Sequence, residues 1–176
     1  MNILDRILDA KRAELERAQR ETPLSELQER VKTGPFPLNL SGALWGETVR
    51  LIAEVKKASP SKGVIVTDYD PAAIAAEYAA NGAAAISVLT EVDHFQGSLD
   101  HLESVKGAMA PLGVPVLRKD FVYDAYQVYE ARAYGADALL LIVAMLEPAQ
   151  LKELLAVAQG RAAARLQPDV AFRERI

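Results

Sequence analysis

The sequence predicts an α/β fold of repeated strand and helix units with parallel strands, and three patterns support this prediction. Short apolar runs recur about 24 to 33 residues apart, which is the spacing of parallel strands joined by crossover helices. They begin near residues 51, 84, 114 and 138. Helix-start and helix-stop signals lie between them, such as Asp70-Pro71 and Asn81-Gly82. The fourth run, Ala138 to Val143, is apolar throughout, which is typical of a parallel strand covered on both faces.

The remaining elements are expected from amphipathic periodicity and capping residues. An amphipathic helix is predicted from about Ile3 to Arg20 and a short second helix from Pro23 to Thr33. A connecting segment rich in Gly and Pro then runs to Glu47, with Trp45 expected to pack against the core. Further helix starts are expected at Ser98, Asp124 and Glu147.

Charged residues gather at the C-terminal ends of the first three predicted strands. They are Glu54 and Lys56, Thr90-Glu91, and Lys119-Asp120. An open nucleotide-binding sheet would need a glycine-rich phosphate loop, and neither G-x-G-x-x-G nor G-x-x-x-x-G-K-[ST] occurs. Because (β/α)₈ barrels carry their chemistry at the C-terminal ends of their strands, we predict a TIM barrel.

The predicted barrel is incomplete. A (β/α)₈ barrel takes about 250 residues, whereas the 176 residues here accommodate a helical extension and about four strand and helix units. We expect a helical extension at 1–47, the first half of the barrel at 48–160 and a tail at 161–176. No fifth strand is recognisable in the tail, whose composition is rich in Ala, Arg and Pro, so our hypothesis is a truncated or frame-shifted reading frame.

Composition narrows the possible functions. The formal net charge of −4 argues against a nucleic-acid or anionic-membrane partner. The chain has no Cys, and its two histidines, His94 and His101, stand apart from other metal-ligating residues, so no metal site is expected. The longest apolar run, 138–146, is too short to span a bilayer. Asp5 and Arg6 stand where a signal peptide needs an apolar core, so a cytoplasmic location is expected.

The stretch from 51 to 63, L-I-A-E-V-K-K-A-S-P-S-K-G, carries the strongest chemical signal. Glu54 and Lys56 are two residues apart in a strand, so both side chains point to the same face, where they must pair or meet a ligand. Lys119 would project beside Lys56 at the barrel mouth, and two ammonium groups in a partly dry cavity destabilise each other's charge, as suits a general acid. The turn at Ser59 could hold an anion. The alternative is a set of paired rim charges followed by an ordinary turn.

Five ordered motifs resemble those of the indole-3-glycerol phosphate synthase family. They are I-A-E-V-K-K-A-S-P-S-K-G-V-I at 52–65, S-V-L-T-E at 87–91, F-Q-G-S at 95–98, L-R-K-D-F at 117–121 and G-A-D-A-L-L-L-I-V at 135–143. The resemblance covers roughly residues 1 to 160, including the helical extension. It implies a cofactor-free lyase of tryptophan biosynthesis, which cyclises, decarboxylates and dehydrates the phosphorylated substrate 1-(2-carboxyphenylamino)-1-deoxyribulose 5-phosphate.

The resemblance also implies roles for individual residues. Lys119 would be the general acid that protonates the substrate carbonyl oxygen, and Lys56 would pair with the anthranilate carboxylate and assist later proton transfer. Glu54 would orient the lysines and take part in the proton relay. Ser59 would help to bind phosphate. The aromatic ring would be walled by Phe95, Phe121 and Leu140.

Two other functions stay open from the residues. One is a non-catalytic half-barrel that acts only through association, and the other is a different phosphate-binding barrel enzyme, such as phosphoribosylanthranilate isomerase, which only the general architecture supports. In the family, strands five to eight supply a further glutamate, an asparagine and most of the phosphate site. We therefore expect the chain alone to be inactive and to self-associate through the exposed edges of the half-barrel.

Overall fold

The structure is a computed structural model that describes residues 3–159, so the tail expected at 161–176 lies outside the described residues. The helices are α1 (Ile3–Glu21), α2 (Leu24–Thr33), α3 (Leu40–Leu44), α4 (Pro71–Ala80), α5 (Leu99–Met109), α6 (Ala125–Ala133) and α7 (Pro148–Gln159). The strands are β1 (Ile52–Val55), β2 (Ala58–Ser59), β3 (Gly63–Val64), β4 (Ala85–Leu89), β5 (Val116–Lys119) and β6 (Ala138–Leu139). Short 3₁₀ helices occupy Ala110–Leu112 and Val143–Met145.

Four strands form a parallel sheet in the order β1-β4-β5-β6, and helices alternate with them along the chain. The predicted α/β architecture of a TIM barrel is thereby confirmed, and the described residues supply four strands of it. The remaining two strands, β2 and β3, pair antiparallel as a small hairpin directly after β1. The predicted caps are also present, since Asp70, Ser98 and Asp124 each accept a backbone N–H at the start of a helix.

The two faces of the sheet are both covered, as parallel strands require. The outer face packs against the helices through the main apolar core, which includes Val55, Ile86 and Val88. The inner face holds a smaller cluster of Leu40, Ala85, Leu117 and Ala138. Alternation along each strand therefore sends one set of residues towards the helices and the next set into the barrel interior.

Helix α3 lies inside the segment that the sequence predicted to be connecting chain. Asn39 caps it by accepting a hydrogen bond of 2.7 Å from the Gly42 N–H, and Leu40 fills the interior cluster at 1% exposure. The prediction for Trp45 is wrong, because its side chain is 85% exposed immediately after this helix. Five residues are too few for a periodic signal, so the helix rests on the Asn39 cap and on the burial of Leu40 in the interior cluster.

The fourth barrel strand is shorter than predicted. The apolar run continues to Val143, but β6 spans only Ala138–Leu139 before the chain leads into a 3₁₀ helix. Within the described residues β6 pairs with β5 alone, so ladder bonds form on one side only. Leu140 and Leu141 are still buried, at 3% and 2% exposure, although they lie beyond β6. Because buried positions are apolar with or without strand pairing, the sequence of 138–143 predicted one continuous strand.

The N-terminal helices pack onto the barrel portion, as the amphipathic pattern predicted. The Tyr126 hydroxyl on α6 lies 2.9 Å from each of the backbone carbonyl oxygens of Ala18 and Thr22, which share its single donor proton. Arg30 on α2 lies 4.5 Å from the ring centroid of Tyr134, in a cation–π contact. Among the helices described here, none has the length and apolarity needed to cross a membrane.

Candidate active site

A cavity of about 240 Å³ lies at the C-terminal ends of the parallel strands, where barrel enzymes carry their chemistry. It combines charged side chains of opposite sign with a largely apolar wall. Its lining residues are Glu54, Lys56, Leu89, Phe95, Lys119, Asp120, Phe121 and Ile142. Five of these eight were named from the sequence as candidate site residues.

Glu54 lies between the two lysines of the cavity. Its Oε1 accepts a hydrogen bond of 2.7 Å from Lys56 Nζ, and its Oε2 lies 3.7 Å from Lys119 Nζ. All three side chains are about a third exposed, at 33%, 33% and 27% for Glu54, Lys56 and Lys119. The structure therefore brings together the three residues that strand alternation placed on the inner face.

Register explains how residues from non-adjacent strands meet. Glu54 on β1 is level with Ser87 on β4, which in turn is level with Leu117 on β5. Lys119 follows Leu117 by two residues on the same face, so its long side chain begins one layer higher and can bend back over β4. The carboxylate of Glu54 consequently spans the width of one strand to contact both ammonium groups.

Two phenyl rings form an aromatic wall of the cavity. The ring centroids of Phe95 and Phe121 are 6.4 Å apart with the planes tilted by 39°. Leu140 and Ser59, the other two predicted contacts, are not among the residues that line this cavity. Leu140 is buried in the strand end, whereas Ser59 sits in the β2–β3 hairpin.

Ile142 and Leu89 complete the apolar wall and were not identified from the sequence. Ile142 follows Leu140 by two residues, so in extended chain both point to the same face. Strand alternation therefore places Ile142 on the same face as Leu140. Because the whole run is apolar, the sequence did not show which of the two residues lines the cavity.

Asp120 is a third residue that sequence reasoning did not assign. Its fully buried carboxylate accepts hydrogen bonds of 2.6 Å from Thr90 Oγ1 and 2.9 Å from Lys11 Nζ. It also accepts the Phe121 N–H at 2.8 Å. Burial alone would raise the pKa of Asp120, but the charges of Arg118 and Lys11 and these hydrogen bonds outweigh it and hold that pKa well below its usual range.

Arg118 extends this buried network to helix α6. Its guanidinium contacts Asp120 and Glu130, each at 2.9 Å, from the outer face of β5. Burial would lower the pKa of Arg118, but the two carboxylates more than compensate and raise it. Strand β5 thus directs Lys119 into the cavity. Arg118 and Asp120 fix the same strand to helices α6 and α1 through Glu130 and Lys11.

The arrangement suits an anionic aromatic ligand. Phenyl rings 6.4 Å apart offer faces and edges to a planar ring, and two ammonium groups can meet a carboxylate or a developing oxyanion. The carboxylate of Glu54 forms a hydrogen bond with Lys56 and a looser ion pair with Lys119. Within the described residues no cluster of His, Cys, Asp and Glu could hold a metal ion.

Comparison with known proteins gives one consistent result. A family model described as indole-3-glycerol phosphate synthase matches residues 4–166. The indole-3-glycerol phosphate synthase of Dehalococcoides mccartyi (strain CBDB1) is 56% identical over 156 residues, which cover 88% of this chain and 60% of that protein. The synthase of the same name from Roseiflexus sp. (strain RS-1) is 55% identical over 161 residues, covering 88% of this chain and 59% of the relative.

A third relative gives the same result. The indole-3-glycerol phosphate synthase of Salinibacter ruber is 53% identical over 163 residues, covering 90% of this chain and 58% of that protein. The chain therefore spans about 60% of the length of the curated relatives that it matches. The match of the family model over most of the chain and these identities show that the chain belongs to the indole-3-glycerol phosphate synthase family.

Proposed function

We propose that this chain contributes the lysine-bearing part of the active site of an indole-3-glycerol phosphate synthase in tryptophan biosynthesis. The substrate would be 1-(2-carboxyphenylamino)-1-deoxyribulose 5-phosphate, which is cyclised, decarboxylated and dehydrated to indole-3-glycerol phosphate. One observation carries the proposal, namely the contact of Lys56 and Lys119 with Glu54 inside a cavity walled by phenyl rings. The reaction is proposed from family membership, and the charged contacts in the cavity support it.

In this proposal Lys119 is the general acid. It protonates the substrate carbonyl oxygen as the ring carbon attacks the carbonyl carbon, so the charge that develops on oxygen is neutralised as it forms. Its ammonium group lies in the cavity that Phe95 and Phe121 wall, which would bring it within reach of a ring bound there.

Lys56 and Glu54 act together in the proposed reaction. Lys56 pairs with the carboxylate of the anthranilate moiety and assists later proton transfer, as a charge-assisted contact with a carboxylate allows. Glu54 orients the two lysines and relays protons between them. Its two oxygen atoms face different lysines, which supports this role.

The binding contacts are proposed from the cavity together with the family resemblance. Phe95, Phe121 and Ile142 line the cavity and would wall the aromatic ring. Leu140, which is buried and does not line the cavity, is proposed as a further contact from the resemblance alone. We assign the phosphate contact to Ser59, which lies in the hairpin three residues after Lys56. These assignments, the regions 1–47, 48–160 and 161–176, and a cytoplasmic location remain proposals.

An assay of indole-3-glycerol phosphate formation tests the function. The purified chain is assayed alone and after mixing with the C-terminal part of the Dehalococcoides mccartyi relative that the match does not cover. We expect no turnover by the chain alone and measurable turnover by the mixture, because the family resemblance implies that strands five to eight supply a further glutamate, an asparagine and most of the phosphate site. A folded mixture without activity would overturn the proposal, whereas activity of the chain alone would refute only the expected dependence on a second part.

Self-association belongs to the same proposal. Within the described residues β1 pairs only with β4 and β6 only with β5, so each presents one unpaired strand edge. We propose a second copy of the chain as the occupant of these edges when no complementary segment is present. The alternative of a purely non-catalytic half-barrel is not favoured, because the family match comes with the contact of Lys56 and Lys119 with Glu54.

A further inference from the structure

The loop that follows β4 is built around one buried carboxylate. Glu91 is 1% exposed and accepts three consecutive backbone N–H groups. Its Oε2 accepts from His94 at 2.8 Å and from Phe95 at 3.0 Å, and its Oε1 accepts from Asp93 at 3.2 Å. His94 Nδ1 lies a further 3.1 Å from Oε1. The loop therefore wraps its amide groups around the side chain of Glu91.

The backbone of the same loop is tightly constrained. The Glu91 carbonyl accepts the Gly97 N–H at 2.8 Å, and Gln96 adopts a φ of 51°, which residues other than glycine rarely do. A Cβ on Gly97 would lie 2.4 Å from the Leu89 carbonyl oxygen. Hydrogen bonds must stabilise this constrained loop backbone, and the Glu91 carboxylate makes four such contacts with the loop.

Phe95 links this loop to the cavity and to the segment that carries Lys56. Its ring lines the cavity, its N–H is held by Glu91, and its carbonyl accepts the Ala58 N–H at 3.2 Å. Ala58 is two residues beyond Lys56. A displacement of Phe95 would therefore disturb both the aromatic wall and the start of the β2–β3 hairpin.

We propose that Glu91 is a positioning residue that holds Phe95 in the wall of the cavity. Glu91 is not among the residues that line the cavity, so it acts through the backbone of residues 93–95. Its importance for substrate binding rests on the proposed function, but its effect on the loop is a property of the chain itself and is measured separately.

Hydrogen exchange of the purified 176-residue chain gives the first test. The amides of Asp93, His94 and Phe95 should be protected, and exchange at the rate of an open loop would overturn the proposal without any variant. In Glu91→Gln these amides, and that of Ala58, should exchange about tenfold faster or more, because an amide oxygen is a weaker acceptor than a carboxylate. The exposed residue Glu103 provides the matched control Glu103→Gln, which should leave them unchanged.

A tryptophan placed in the wall gives the second test. The sequence contains one Trp, so the double variant Trp45→Phe, Phe95→Trp carries a single reporter at position 95. Adding Glu91→Gln should shift its emission to longer wavelength as the ring moves into water. An unchanged spectrum with accelerated exchange would show that Glu91 stabilises the loop without positioning Phe95, and would overturn the proposal.

A kinetic cycle in the complemented synthase gives the third test. Glu91→Gln and Phe95→Ala should each raise KM by about tenfold. The KM of the double variant should not exceed the higher of the two single-variant KM values, because both substitutions remove the same contact. Additive effects would overturn the positioning role. An inactive parent would refute the proposed function alone, and exchange and fluorescence would still decide the role of Glu91.

Discussion

Lys56 and Lys119 share a single carboxylate, that of Glu54, although β4 separates their strands. The contact of 2.7 Å to Lys56 is a hydrogen bond, whereas the distance of 3.7 Å to Lys119 is that of a looser ion pair. Glu54 therefore holds Lys56 more closely than Lys119. This asymmetry agrees with the proposed division of labour, in which Lys119 delivers a proton and Lys56 binds a carboxylate.

Removal of the Lys119 ammonium group should abolish most of the proposed activity. In the complemented synthase we expect Lys119→Met to lower kcat by about 100-fold or more, the lower end of what a general acid contributes. Turnover of purified protein measures the effect. The exposed Lys152 on α7 gives the control Lys152→Met, which should retain activity. A Lys119→Met protein with near-normal kcat would mean that Lys119 is only a rim charge.

The corresponding change at Lys56 should have a different kinetic signature. Lys56→Met should raise KM and lower kcat together, because a cation that pairs with the substrate carboxylate acts in binding and in later proton transfer. Steady-state kinetics separate the two parameters. A change confined to kcat would contradict the assigned carboxylate contact.

Gly97 should tolerate no side chain. In Gly97→Ala the new Cβ would meet the backbone of Leu89 at 2.4 Å, so the loop or the end of β4 must shift. We expect a loss of about 1–3 kcal/mol in the free energy of unfolding, measured by urea denaturation. Gly107 in α5 is the matched control, since nothing lies within 4 Å of the position that a Cβ would take there. Gly107→Ala should be neutral or stabilise the chain by up to about 1 kcal/mol.

Much of this architecture could be predicted because its signals are local. The caps Asp70, Ser98 and Asp124 act on amides two or three residues away, and strand alternation alone places Glu54 and Lys56 on one face. Local sequence therefore sufficed for the strand and helix order and for the charged half of the cavity.

The features that could not be predicted depend on residues far apart in the chain. Lys11 contacts Asp120 across 109 positions, and in the sequence it reads as one of many charges on an amphipathic helix. Likewise, α3 forms where Leu40 meets three strands, and the need for glycine at 97 comes from the approach of Leu89. Each of these becomes visible only once the sheet has brought its strands together.

The buried carboxylate of Asp120 should make the chain sensitive to acid. Its folded-state pKa lies well below the ordinary value of 3.8, so its contribution to stability is complete above that value and is lost as the pH falls below it. Urea denaturation between pH 5 and pH 2 should therefore show a loss of stability that becomes steep only below about pH 4.

Substitutions at Asp120 and Glu14 should change the acid dependence of stability in opposite directions. Asp120→Asn should cost about 3–5 kcal/mol near neutral pH, because Lys11 and Arg118 lose their shared partner, and should flatten the acidic slope. Burial raises the pKa of Glu14, so protonation of Glu14 favours the folded state as the pH falls, and Glu14→Gln should steepen the slope. The exposed Asp9 gives the control Asp9→Asn, which should leave the curve unchanged. An unaltered slope in Asp120→Asn would show that other groups govern acid unfolding.

The edge of β1 should drive self-association of the isolated chain. This strand has one neighbour among the described residues, and Leu51 beside it is 59% exposed. Light scattering should show dimers or larger assemblies, and Leu51→Lys should shift the chain towards monomer, since a charge on an edge strand opposes pairing. Leu112 offers a matched control at 58% exposure, away from the sheet edge in a 3₁₀ helix. Leu112→Lys should leave the assembly intact. A monomer at every concentration would refute the prediction. If Leu51→Lys and Leu112→Lys reduced association equally, the chains would associate through non-specific apolar contacts instead of edge pairing.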